Sequence, residues 1–182
     1  MSKIMPLDPA MAPGGARQLL DWFDARLGMV PNMVSVMANS PAVLRGYIGL
    51  SGALSSGSLG TELRERIALA VAESNGCDYC LAAHATLGAA AGIDETGVAA
   101  ARRGTADDPR TAAALRFAVA LVDGRGHVAD TELARVRNAG YTDAAILDIV
   151  AEVVLNIFTN YVNILAGTPI DFPRVAPLAE AA

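Results

Sequence analysis

The chain carries two cysteines, and both fall in one four-residue stretch, Cys77-Asp78-Tyr79-Cys80. A thiol has a pKa of about 8.5, and only its thiolate attacks or binds metal. A disulfide across so short a loop constrains the unfolded chain little, so this pair is not a structural staple. The spacing points to redox chemistry or metal ligation. In the redox reading one thiolate attacks, and the other sulfur resolves the product by closing an intramolecular disulfide. His84 follows Cys80 at i+4. On a helix Cys77, Cys80 and His84 share one stripe, so the imidazole is placed to take or return a thiol proton. A helix starting at the dithiol also turns its partial positive end toward the sulfurs.

Other side chains compete for supporting roles. Glu65 has Ala68, Leu69 and Ala72 at i+3, i+4 and i+7. That apolar face predicts a partly buried carboxylate suited to proton relay with His84. An ordinary ion pair, with neighbours on the Arg64 side or with Arg66, is the alternative. Glu73 is the rival carboxylate, but Asn75-Gly76 is expected to break the helix before Cys77. Tyr79 is a possible pocket or relay residue. Asn156, Asn160 and Asn163 form an i, i+4, i+7 stripe, read as hydrogen bonding across a packed interface in preference to a substrate pocket. His127 lies among Gly124, Gly126 and Asp130 and reads as a loop residue. Zinc on Cys77, Cys80 and His84, with Glu65 or His127 as fourth ligand, is the metal alternative. No second C-x-x-C accompanies them, and no metal site is assigned.

The elements that must position these groups read as helices throughout. Periodicity and capping residues predict helices near 15–27, 33–38, 41–54, 61–74, 77–91, 95–103, 109–123, 130–138 and 142–165. Ser40 and Asp94 are expected N-caps, as is Thr61. Residues 1–13 form a proline-bearing arm, and 166–182 an irregular tail, around a single domain spanning 1–182. No strand is predicted. The composition agrees: 53% hydrophobic but only 5% aromatic favours close helix packing over a sandwich.

Composition also excludes. The net charge is −5 and no basic cluster exists, so a nucleic-acid partner is not expected. Pro6 interrupts the start before an apolar signal region forms, and the expected location is cytoplasmic. The most apolar stretch, 144–165, carries Asp148, Glu152, Asn156, Asn160 and Asn163, which argues against a membrane span. The positive mean hydropathy then calls for a buried subunit interface.

Glu65, Cys77, Cys80 and His84 together resemble the E-x11-C-x-x-C-x3-H motif of the alkylhydroperoxidase D (AhpD) family, within the wider carboxymuconolactone decarboxylase superfamily. The run Val71 to His84 resembles its core segment, and the likeness extends to Pro31-Asn32, Ser40-Pro41, Gly46-Tyr47 and Asn156 to Pro173, as in the peroxidase-related branch. The resemblance implies an all-α fold, an AhpD-like multi-helical orthogonal bundle with no significant sheet. It also implies a homo-oligomer (trimer or hexamer) and reduction of a hydroperoxide substrate by an external dithiol electron donor, with no bound cofactor. By that likeness Cys80 is the attacking sulfur and Cys77 the resolving one, and His84 and Glu65 form the relay. One position departs from the pattern. The family members carry a histidine just before the second cysteine, where this chain has Tyr79.

The expectation is therefore a thiol-dependent hydroperoxide reductase. Its alternatives are a reductase of protein or small-molecule disulfides, a lactone decarboxylase like the superfamily's namesake, and a non-catalytic helical metal-binding oligomer.

Overall fold

The computed structural model describes residues 2–178. Met1 and residues 179–182, the ends of the arm and tail read from sequence, lie outside the described residues. Among the described residues there are nine α-helices and no strand. They are α1 (Gly14–Leu27), α2 (Asn32–Met37), α3 (Pro41–Ser55), α4 (Thr61–Asn75), α5 (Asp78–Ala90), α6 (Glu95–Arg102), α7 (Pro109–Asp123), α8 (Asp130–Asn138) and α9 (Asp143–Ala166). The all-α expectation holds.

Local chemistry explains most of the boundaries. Ser40, Asp94, Asp108 and Thr142 each accept a backbone N–H in the first turn of the helix they precede. Two expected starts are corrected. Thr61 is the first residue of α4 rather than its cap; Gly60 precedes it and supplies no side-chain acceptor. Cys77 is not the first residue of α5 but its N-cap, because the chain must turn out of α4 before it can wind again. Gly76 makes that turn at φ +65°, a left-handed conformation that costs a residue without Cβ little. The proline-bearing arm contains one short turn. Asp8 accepts the N–H of Ala10 at 2.8 Å and closes a 3-10 turn over Pro9–Met11.

Helix α4 is the centre of the packing. Its consecutive residues Ile67 to Ala72 are all buried, so it is covered on every side, as a helix apolar all round must be. It packs against α5, α6, α7 and α9. Alanines at 68, 70 and 72 let those neighbours approach closely. This larger core draws in α7, α8 and α9 through Leu115, Phe117, Val136, Ile149 and Val153. A smaller core gathers Ala16, Leu20 and Phe23 of α1 with Val34, Met37 and Leu44. Met33 packs against both cores, and Phe158 and Val162 of α9 reach the smaller one.

Helix α9 is long and apolar enough to cross a membrane by length and composition. Half of its most apolar window is nevertheless buried inside the protein. Its inward face carries Glu152, Asn156, Asn160 and Asn163, all buried. The polar stripe visible in the sequence therefore faces the protein interior.

Candidate active site

The turn at Gly76 sets the dithiol at the start of α5. Cys77 and Cys80 are joined by a disulfide, with their Cα atoms 5.3 Å apart. Cys77 Sγ accepts the backbone N–H of Cys80 at 3.3 Å and so caps the helix through sulfur. Both residues are buried, at 1% and 2% exposure. The two differ in one respect: Cys80 lines a cavity of about 350 Å³, and Cys77 is not on its wall. That volume suits a small organic molecule. Phe23, Leu27, Met33, Val34, Leu87 and Phe172 supply much of the apolar lining.

His84 stands one helical turn beyond Cys80 and also lines the cavity. Its Nδ1 is 2.7 Å from Glu65 Oε2 on α4. An ionised carboxylate only accepts, so it takes the Nδ1–H and leaves Nε2 free as a base. Glu65 is partly buried, as its apolar face predicted, and its partner is His84, not Arg66. Arg66 is paired with Glu62 at 2.8 Å instead. The rival carboxylate, Glu73, is taken by Arg102 at 2.6 Å and is not on the cavity wall. The structure thus brings Glu65, His84 and Cys80 to one cavity, with Cys77 directly behind.

Tyr79 also lines the cavity, but its hydroxyl is committed elsewhere. It accepts the N–H of Met33 at 3.2 Å, and its ring meets Phe172 edge-on with centroids 5.8 Å apart. Burial pushes its phenol above the ordinary range, and the Asp171 carboxylate nearby pushes it further. Tyr79 therefore ties the dithiol helix to α2 and the tail. Tyr47, at the same cavity, is pushed up to about 12 by burial, with the charges of Glu65 and Glu152 adding to the effect. Both phenols are neutral at physiological pH.

Sequence reasoning missed one pair. Arg64 and Glu152 form an ion pair on the cavity wall through the guanidinium Nε. Glu152 is 3% exposed. Burial raises its carboxyl above the usual value, and Arg64 opposes that rise. The signal was visible as an acid in the middle of an apolar helix, but the partner lies 88 residues away. The asparagine stripe needs a correction as well. Asn160 does bond across a packed interface, accepting from Asn75 Nδ2 at 2.8 Å. Asn156 and Asn163 line the cavity, and Asn163 Nδ2 donates to Cys80 Sγ at 3.3 Å. Helix periodicity gave the stripe its direction, and only packing gave it partners. His127 sits in the exposed 124–129 loop, off the cavity wall. Among the described residues no three His, Cys, Asp or Glu side chains are grouped to hold a metal.

The segment from α3 into the turn after α7 carries the dithiol, His84 and Glu65, and residues 41–124 match the model of the carboxymuconolactone decarboxylase family. A search of curated proteins finds no match. Among solved structures, the AhpD core of an uncharacterized peroxidase-related protein from Ralstonia eutropha JMP134 superposes with a TM-score of 0.84. It is 25% identical over 93% of this chain and 92% of its own. An uncharacterized peroxidase-related protein from Silicibacter sp. TM1040 gives 0.79 at 24% identity, over 96% of this chain and 93% of its own. The debrominase Bmp8, as a C82A variant with 2,3,4-tribromopyrrole, gives 0.79 at 23% identity over 94% and 92%. The matched segment thus sits in an AhpD-like helical fold that extends over nearly the whole chain.

Proposed function

We propose that the protein is a thiol-dependent hydroperoxide reductase, with Cys80 attacking, Cys77 resolving, and His84 with Glu65 moving the proton. One observation carries the reading: the sulfur on the cavity wall is Cys80, beside a histidine already oriented by a carboxylate. Cys80 loses its proton to His84 Nε2, and the imidazolium is stabilised by Glu65. The thiolate attacks the terminal oxygen of R–O–O–H and the O–O bond breaks. Cys80 becomes a sulfenic acid, and the RO⁻ leaving group takes the proton from His84 to depart as an alcohol. Cys77 then attacks the Cys80 sulfur. The S–O bond breaks, water leaves, and the disulfide closes. An external dithiol reduces it by exchange and becomes a disulfide itself. The net reaction converts hydroperoxide and dithiol to alcohol, water and disulfide. Tyr79 acts as a wall of the pocket in this scheme.

The test is loss of an organic hydroperoxide that depends on an added dithiol. It is paired with intact mass after one equivalent of hydroperoxide acts on the reduced protein. The expected result is turnover, with two hydrogens lost from the protein. Thiols inert to hydroperoxide at neutral pH would overturn the reading. The family match keeps lactone decarboxylation as a second reading, because that chemistry needs no dithiol; lactone turnover surviving alkylation of both cysteines would select it. Organic disulfides and a bromopyrrole run beside the hydroperoxide distinguish the other oxidants that a dithiol in this fold could reduce.

The protein is further proposed to work as a homo-oligomer, a trimer or hexamer. The outward face of α9 leaves Leu147, Val154 and Tyr161 exposed at seven-residue intervals, with Ile164 and Leu165 beyond them. Such a stripe favours burial against a second copy. Light scattering at micromolar concentration is expected to give a multiple of the 18.7 kDa chain mass, and L147E/Y161E to lower it. A monomer at that concentration overturns this part.

A further inference from the structure

Two buried sulfurs compete for one negative charge. Cys77 is the N-cap of α5, where the helix presents its partial positive end, and its sulfur already accepts the N–H of Cys80 at 3.3 Å. By those terms alone a thiolate settles on Cys77, which is not on the cavity wall. Cys80 lies within the first turn, and its own N–H is spent on Cys77. What its sulfur receives comes from across the core: Asn163 Nδ2 on α9, at 3.3 Å.

Both Asn163 and Cys80 are buried, so water competes little for this contact. A hydrogen bond to an anion in such surroundings is stronger than one to a neutral sulfur. The helix that carries the amide is anchored nearby. One turn earlier on α9, Asn160 accepts from Asn75, two residues ahead of Cys77, at 2.8 Å. Helix α9 thus grips the dithiol segment on both sides. Asn163 Oδ1, meanwhile, is buried with no partner among the described residues. An apolar residue would leave nothing unpaired there, so the amide is poorly explained by packing and well explained by its sulfur.

We propose that Asn163 is a positioning residue that selects Cys80, over Cys77, as the sulfur bearing the thiolate. This rests on the thiol chemistry proposed above and deepens it. The amide bonds a thiolate better than a disulfide sulfur, so it also favours the reduced form.

The test uses the full chain with one thiol left at a time, C77S or C80S, each with Asn or Leu at position 163. Thiolate absorbance is followed against pH. Asn163→Leu is expected to raise the Cys80 pKa by about one unit, roughly a tenfold loss of thiolate near neutrality, and to leave Cys77 nearly unmoved. In the two-cysteine protein the same change shifts the exchange equilibrium with glutathione toward the disulfide. Asn163→Ser, a smaller donor that cannot clash, is expected to fall between Asn and Leu, and it carries the test where leucine prevents folding. A merely structural Asn163 would lower the melting temperature and leave both titrations in place. Equal shifts at both cysteines, or none at Cys80, overturn the assignment. No titration requires hydroperoxide. A selective shift in a protein that reduces none leaves Asn163 standing and overturns the function; a working reductase with an unmoved Cys80 does the reverse.

Discussion

Cys80→Ser is expected to abolish dithiol-dependent hydroperoxide turnover, a loss on the order of 10³-fold or more. A serine hydroxyl keeps its proton near neutral pH, and one imidazole with one amide donor does not turn it into a nucleophile matching a thiolate. Cys77 cannot substitute, because it lies behind Cys80 and off the cavity wall. The partner variant should fail differently. In Cys77→Ser the attack on hydroperoxide survives, but the sulfenic acid on Cys80 has no neighbour to resolve it. A single turnover is then expected, with one oxygen added to the protein mass, followed by arrest unless an external thiol attacks. Stopped-flow peroxide consumption with intact mass separates the two. Full turnover in Cys80→Ser, or loss of the first attack in Cys77→Ser, would show that the roles are misassigned.

Arg64→Met should produce the largest change in stability. Glu152 is almost wholly buried, and Arg64 is its one ion-pair partner among the described residues. Breaking a buried pair by removing one member typically costs about 3–5 kcal/mol, because the remaining charge is left without compensation. The cost should depend on pH, with a definite sign. Burial holds the Glu152 carboxyl above its ordinary value in the folded state. The unfolded chain therefore releases that proton at lower pH than the folded protein does. The associated stability is fully present below the unfolded value and is lost as pH rises through the folded one. Without Arg64 the carboxyl is held higher still, so the window widens upward. The expected result is a large deficit in denaturant unfolding at pH 8 that shrinks toward pH 5 as the carboxyl takes up its proton. An equal deficit at both pH values would mean that the guanidinium contributes by packing alone.

The helices, their order and most of their ends are legible along the chain because they depend on neighbours a few residues apart. Ser40, Asp94 and Thr142 cap within three residues, and Gly76 stops α4 through its own backbone. The spacing of Cys77, Cys80 and His84 along one stripe is local in the same way, so the dithiol and its histidine could be singled out by counting. Where Cys77 sits at the helix start was less legible, since the reversal at Gly76 shifts the boundary by one residue.

What faces the dithiol could not be read by counting. Glu65 and Glu73 were both plausible partners for His84, and the packing of α5 and α6 on α4 decided it by giving Glu73 to Arg102. Tyr79 could have pointed at a sulfur; its bond to Met33 turned it into a wall. Arg64 meets Glu152, and Asn163 meets Cys80, across separations of 88 and 83 residues, where helical periodicity supplies a direction but no partner. The sequence by itself determined the helices and which residues could do chemistry, because both follow from short-range geometry. The tertiary structure alone decided which sulfur meets the cavity and which charges surround it, because burial and long-range pairing exist only once α4, α5 and α9 have packed together.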